Sequence, residues 1–185
     1  TEFAERTQWG PARWSPDGAW LAAIRFSRFT SLDLVLLSAD GRVVRLLTDD
    51  RALEGVPEWD VKAPPGIQRL FFTSDRSGVR ELYSLELEGD SLRTYLTARV
   101  ATGIHDATVV ASSRSAGVDS DRTTVVATVT HADGRHLERL DISRDRWVTV
   151  RSPAANATPR PADSEPPPLS EKDMFPTKPY APARD

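Results

Sequence analysis

A chain of 185 residues with a formal net charge of −3 is long enough to bury a core, and its 24 Lys and Arg are scattered rather than gathered into the basic face that nucleic-acid binding requires. The absence of cysteine excludes disulfides, thiolate metal sites and a Cys nucleophile. No apolar run nears the roughly 20 residues of a membrane-spanning helix, and the opening stretch "TEFAERTQ" has neither the basic nor the apolar region of a signal peptide.

The first element to read is "RWSPDGAWLAAIRF", residues 13–26. Trp14 leads into Ser15, Pro16, Asp17 and Gly18, where Pro presets φ, Asp can bond the following backbone and Gly supplies positive φ. An apolar strand follows. The connection "RFSRFTS" then presents Arg25 and Arg28 with Phe26 and Phe29, a candidate contact surface. Next come "SLDLVLL", an Asp40–Gly41 turn and "RVVRLLT", which ends on Leu47–Thr48. With the entry strand that ends at Trp14, these make the four predicted strands of one unit over about 10–50.

A second unit spans about 51–102. Trp59 and Asp60 hold the places of Trp14 and Ser15, and Gly66 closes the turn. "IQRLFFTS", "DRSG" with Arg76, "RELYSLEL", "EGD" and "SLRTYLT" complete it, with Leu96–Thr97 answering Leu47–Thr48. A third unit, about 103–152, is more divergent. It reads "DATVVASS", a stretched turn around Asp119, "RTTVVATVT", "RHLERLDI" and a fourth strand, "RWVTVRS", carrying Trp147.

Runs this short cannot make helices, and their spacing with Gly and Asp turns predicts an all-β fold. Repetition of a four-stranded unit of about 40–50 residues favours propeller blades over a β-sandwich of similar strand count. The expected architecture is about three four-stranded blades of a partial ring over 1–152.

From Pro153 the composition changes to "PAANATPRPADSEPPPLSEKDMFPTKPYAPARD". Prolines remove backbone donors and few apolar residues remain to bury, so 153–185 reads as a Pro-rich extended linker or arm. Met174, Phe175 and Tyr180 are its anchors if it docks.

The positions Trp14, Ser15, Pro16, Asp17, Gly18, Asp40, Gly41, Leu47 and Thr48 resemble the repeat of the TolB-like (WD40-like) β-propellers. In the second copy Trp59, Asp60, Gly66 and Leu96–Thr97 match. "FPTKPYAPARD" resembles the linker that precedes an outer-membrane β-barrel in some bacterial proteins. The resemblance implies a periplasmic or cell-envelope location and protein partners such as envelope lipoproteins or an outer-membrane barrel. Closed propellers usually have four to eight blades, so further blades are expected from a parent polypeptide or from another chain.

Catalytic motifs are missing from the sequence. It contains no Gly-x-Ser-x-Gly elbow, no phosphate-binding loop and no dinucleotide fingerprint, and no cofactor is expected. His131 and His136 flank a hairpin turn and could meet, with Asp133 or Asp106 as a third metal ligand, but exposed hairpin residues explain them better than a metal site alongside His105. "DSD" at 119–121 lacks the spacing of a calcium loop. Glu54, Glu58, Asp60 and Asp75 are expected to line a rim or channel. Among the tryptophans, Trp14, Trp59 and Trp147 recur with the repeat and are expected in the core, and Trp9 is expected to be exposed.

The sequence therefore predicts a non-enzymatic protein-interaction scaffold. Its candidate contacts are Trp9, Arg28, Phe29, Arg76, Asp119, Phe175 and Tyr180. The alternatives are the gating propeller of a prolyl-oligopeptidase-like peptidase, its catalytic domain outside this chain, or a subunit that completes another protein's ring.

Overall fold

The computed structural model describes residues 7–27, 31–113 and 122–151. Arg28, Phe29, Asp119, Phe175, Tyr180 and the Pro-rich stretch lie outside the described residues.

The described chain is all-β, folded into three antiparallel sheets. Strands β1 (Thr7–Trp14), β2 (Trp20–Ser27), β3 (Ser31–Ser38) and β4 (Val43–Leu46) form a four-stranded meander in chain order, sheet A. Sheet B repeats the pattern with β5 (Glu58–Trp59), β6 (Gln68–Ser74), β7 (Glu81–Glu88) and β8 (Ser91–Ala98). Sheet C contains β9 (Ile104–Ser113), β10 (Arg122–His131) and β11 (Gly134–Ser143).

The turns form as their residues dictate. Gly18, at φ 70°, donates its N–H to the Ser15 carbonyl at 2.9 Å. Asp17 Oδ1 accepts from the Ala19 amide at 3.0 Å and from the Ser15 hydroxyl at 2.5 Å. Ser15 and Asp60 occupy equivalent places: their amides bond the Trp20 and Arg69 carbonyls, each at 2.9 Å. The Leu–Thr pairs also act alike. Thr48 Oγ1 accepts from the Leu34 amide at 2.8 Å, and the Thr97 hydroxyl donates to the Leu82 carbonyl at 2.9 Å.

Sheet B lies between the other two. Ile24, Leu34 and Leu36 of sheet A pack on Trp59, Leu70, Phe72, Tyr83 and Leu85 of sheet B. Phe71 and Leu82, on the opposite face of sheet B, pack on Ile104, Val125, Val129 and Ile142 of sheet C. Burying each such side chain is worth about 1.5–3 kcal/mol. A strand buried on both faces loses its polar alternation, which is why "ELYSLEL" alternates so poorly: all seven of its residues are buried.

One expectation is corrected. The last strand, β12 (Val148–Val150), does not complete a four-stranded third unit, because it pairs with β8 and becomes the fifth strand of sheet B. The cause lies in the short 3-10 turn Arg144–Arg146 and the residue after it. The Trp147 ring meets Phe71 edge-on and Tyr95 at a tilt, both at 5.7 Å. Arg144 stacks on Tyr95 and Trp147 and reaches Glu86 Oε2 at 2.9 Å. Those contacts hold the chain on sheet B as it leaves β11.

Candidate functional site

The most strongly charged region of the interior lies between sheets B and C. Arg69 and Glu86 are cross-strand partners on β6 and β7, and Arg69 bridges Asp60 Oδ2 at 3.0 Å and Glu86 Oε1 at 2.8 Å. Glu86 takes Arg144 on its other oxygen, and the Arg69 guanidinium lies 5.0 Å from the Trp147 ring centre. Ionised groups out of water are tolerated only when paired and hydrogen-bonded, and here each carboxylate meets a guanidinium. The charges in this cluster serve to lock β12 and the Asp60 turn onto sheet B.

A second cluster sits at the opposite strand ends of sheet B. The segment joining sheets A and B reaches inward: Leu53 bridges Leu32, and Glu54 bridges Ser74. Gly55 donates to the Thr73 carbonyl at 2.7 Å, so close that a Cβ there would lie 2.1 Å from Thr73 Oγ1. The buried Glu54 carboxylate receives Arg76 Nη2 at 2.6 Å. Burial outweighs that attraction and pushes the carboxyl up to about 7. Arg76 lies over Tyr83 and Phe72, while Glu81 is held by Arg99, Ser77 and Tyr83.

These placements sort the predicted residues. Arg76 turns inward as the partner of Glu54 rather than outward as a contact. Asp60 is buried with Arg69, Glu58 pairs with Arg13 at 3.2 Å, and Asp75 caps the Leu53 amide at 2.8 Å. These carboxylates are spent on local structure and do not converge on one rim. Trp9 is exposed as expected. Trp59 is buried, with its indole N–H on the Arg13 carbonyl at 2.9 Å, but Trp14 is 54% exposed. Asp17 links the two units, accepting from Gln68 Nε2 at 2.9 Å. Its carboxyl is held below the usual range, chiefly by the Ser15 hydroxyl.

His131 and His136 do meet, with ring centres 5.1 Å apart, yet each has its own carboxylate: Glu138 for His131, and Asp133 at 2.9 Å for His136. His105 bonds Thr130 Oγ1 at 2.6 Å, and burial lowers its pKa. Among the described residues, no group of three or more His, Asp or Glu is placed to hold a metal ion, and no helix is long and apolar enough to cross a membrane.

Sequence reasoning missed Arg69, Glu86 and Arg144. The available signal was a basic and an acidic residue breaking two apolar runs, "IQRLFF" and "LYSLELE".

The faces at the two ends of the stack differ. Trp14 stands opposite Leu21, and Trp9 opposite Arg25, on the side of sheet A turned away from sheet B. Ala23, Val35 and Leu37 form an apolar cluster on that side. The far side of sheet C carries Thr124, Thr128, Thr130, Arg135, Arg139 and Asp141, with Val126 and the exposed Leu137 among them, a largely polar face. No protein-family model matches the chain, and no curated protein matches it.

Proposed function

We propose that the chain is a TolB-like propeller segment, blades about 10–50, 51–102 and 103–152, the third giving its last strand, β12, to sheet B, with a linking arm after them, and that it is a protein-interaction scaffold of a bacterial cell envelope. The observation that carries this reading is the pair Trp14 and Trp59. Each stands at the same place in its unit, and each faces the side of its sheet away from the next sheet in the chain. Trp59 uses that position to pack on sheet A. Trp14 and its neighbour Trp9 offer the equivalent surface unfilled by any described sheet, so this face suits a further β-sheet, in the manner of one blade on the next. The far side of sheet C, more polar than that of sheet A, suits the other end of such a stack.

The test is a photo-crosslinking residue in place of Trp14 or Trp9 in the native host, with cell fractionation. Adducts from both positions to one β-rich protein or segment, recovered with the envelope, are expected. Adducts from neither position, or recovery of the chain away from the envelope, would overturn the proposal.

A further inference from the structure

The path of the chain leaves one place in the fold open. β4 and β8 each close a meander as its fourth strand, whereas β12, fourth in its own unit, pairs with β8. Among the described residues, no strand pairs with the outer edge of β11, ten residues long. The other edge of sheet C, β9, is blunted by two register shifts, while the pairing of β11 with β10 is unbroken. Long regular edges accept added strands, and bulged ones resist them.

The register identifies the backbone groups on that edge. Thr130 stands opposite Arg135 and turns its N–H away from β11, to the Gly103 carbonyl at 3.1 Å. Hydrogen-bonded and non-hydrogen-bonded pairs alternate along an antiparallel ladder. The N–H and C=O groups of Arg135, Leu137, Arg139 and Asp141 therefore point to the open side. Leu137 is 78% exposed beside them.

A cleft of about 460 Å³ runs along this edge, between β11 and the ends of β8 and β12. Ala98, Leu140, Ile142 and Val148 give it apolar lining, and three arginines line it with one acidic residue: Arg139 bonds that Asp141 at 3.2 Å, Arg99 bonds Glu81 at 2.5 Å, and Arg146 adds a further positive charge. We infer that β11 takes up an extended segment of a partner protein, with alternating apolar and acidic residues, as the fourth strand of sheet C. This deepens the scaffold reading and rests on it. Backbone bonds to β11 supply affinity and the alternating side chains supply choice of partner. The apolar residues enter the cleft beside Leu140 and Ile142, and the acidic ones, on the other face, meet Arg135 and Arg139. The chain's own residues 152–185 suit the place poorly. Prolines interrupt them, and in the longest proline-free run, 169–175, alternation puts Leu169 and Phe175 on the same side as Glu171 and Asp173.

The test uses the full chain and a fluorescein-labelled heptapeptide of alternating valine and glutamate, followed by anisotropy. Saturable binding is expected, weakened about tenfold or more when lysine replaces glutamate or when alternate amides are N-methylated. Leu137→Pro removes an edge donor without removing a bond to β10, and should weaken binding about tenfold with the melting temperature little changed. Arg139→Glu should do the same through charge if the proline variant fails to fold. No binding, or equal binding of the N-methylated peptide, overturns the inference. So does self-association that Leu137→Pro abolishes, which would make a second copy the occupant. Crosslinks from position 14 without peptide binding would sink the strand proposal alone, whereas failure at both places would sink the scaffold reading with it.

Discussion

The first and second units share a strand order and a Leu–Thr closure, yet they differ where one would expect most likeness. Trp14 is 54% exposed and Trp59 is 6% exposed, although each ends the first strand of its unit and faces the same way. What differs is the neighbour: sheet A lies against Trp59, and no described sheet lies against Trp14. A second set of equivalent positions diverges in chemistry. Ser15, Trp20 and Ser38 in the first unit correspond, by register, to Asp60, Arg69 and Glu86 in the second. The first set is a turn plus a half-buried indole that packs against the core between sheets A and B. The second is a buried ionic bridge, present because Arg144 and Trp147 bring β12 against it. A repeat fixes the backbone, and the contacts around each copy decide what its side chains do.

The largest expected effect comes from breaking the bridge that only the second unit has. Arg69→Ala leaves the buried Asp60 and part of Glu86 without their cation, and should cost about 3–5 kcal/mol in urea unfolding. A loss below about 1 kcal/mol would mean that the bridge contributes little. Trp59→Ala should cost a similar 3–5 kcal/mol or slightly less, from a cavity between sheets A and B and an unbonded Arg13 carbonyl.

Glu54, on the segment joining the two units, ties stability to pH. Its folded carboxyl, at about 7, lies above the ordinary 4.5, chiefly because of burial. The fold therefore favours the protonated form. That contribution is fully present below about pH 4.5 and fades as pH rises through about 7. Glu54→Gln should hold its stability across that window, so the wild type should lose on the order of 2–3 kcal/mol relative to the variant between pH 4.5 and 7.5. Parallel pH profiles for the two proteins would show that Glu54 does not titrate this way.

Ser15→Ala touches the turn itself. It removes the acceptor of the Trp20 amide and the donor to Asp17 and should cost about 1 kcal/mol. It should also raise the Asp17 pKa toward the ordinary carboxylate value, because the Ser15 hydroxyl is the main cause of its depression. NMR titration of Asp17 would read this, and an unmoved pKa would remove the hydroxyl from the account.

Much of the fold was legible because turns and short apolar runs act locally. Gly18, Gly41 and Gly66 take positive φ where the turns were read, and β2, β3, β4, β6, β7 and β8 fall on expected runs. The route of β12 was not legible. Nothing local in "RWVTVRS" distinguishes pairing with β11 from pairing with β8, and the decision rests on Trp147 meeting Phe71 and Tyr95, residues far away in the chain. The inward turn of Arg76 was hidden for the same reason: an arginine in a "DRSG" turn reads as solvated until a buried carboxylate from another segment, Glu54, is placed beside it.

The smallest expected effect is the sharpest test of the comparison. Trp14→Ala removes an indole that is more than half in water, so in the isolated chain it should change stability by no more than about 0.5 kcal/mol, against the several kcal/mol of Trp59→Ala. If the two tryptophans are equivalent apart from their neighbours, this gap should close when the face of sheet A is covered. Under the scaffold reading, Trp14→Ala should then weaken capture of the partner crosslinked at that face by about tenfold or more, as loss of a buried aromatic anchor does. A Trp14→Ala protein as unstable as Trp59→Ala would instead mean that the first tryptophan is already packed, and the face of sheet A would no longer be available for another sheet.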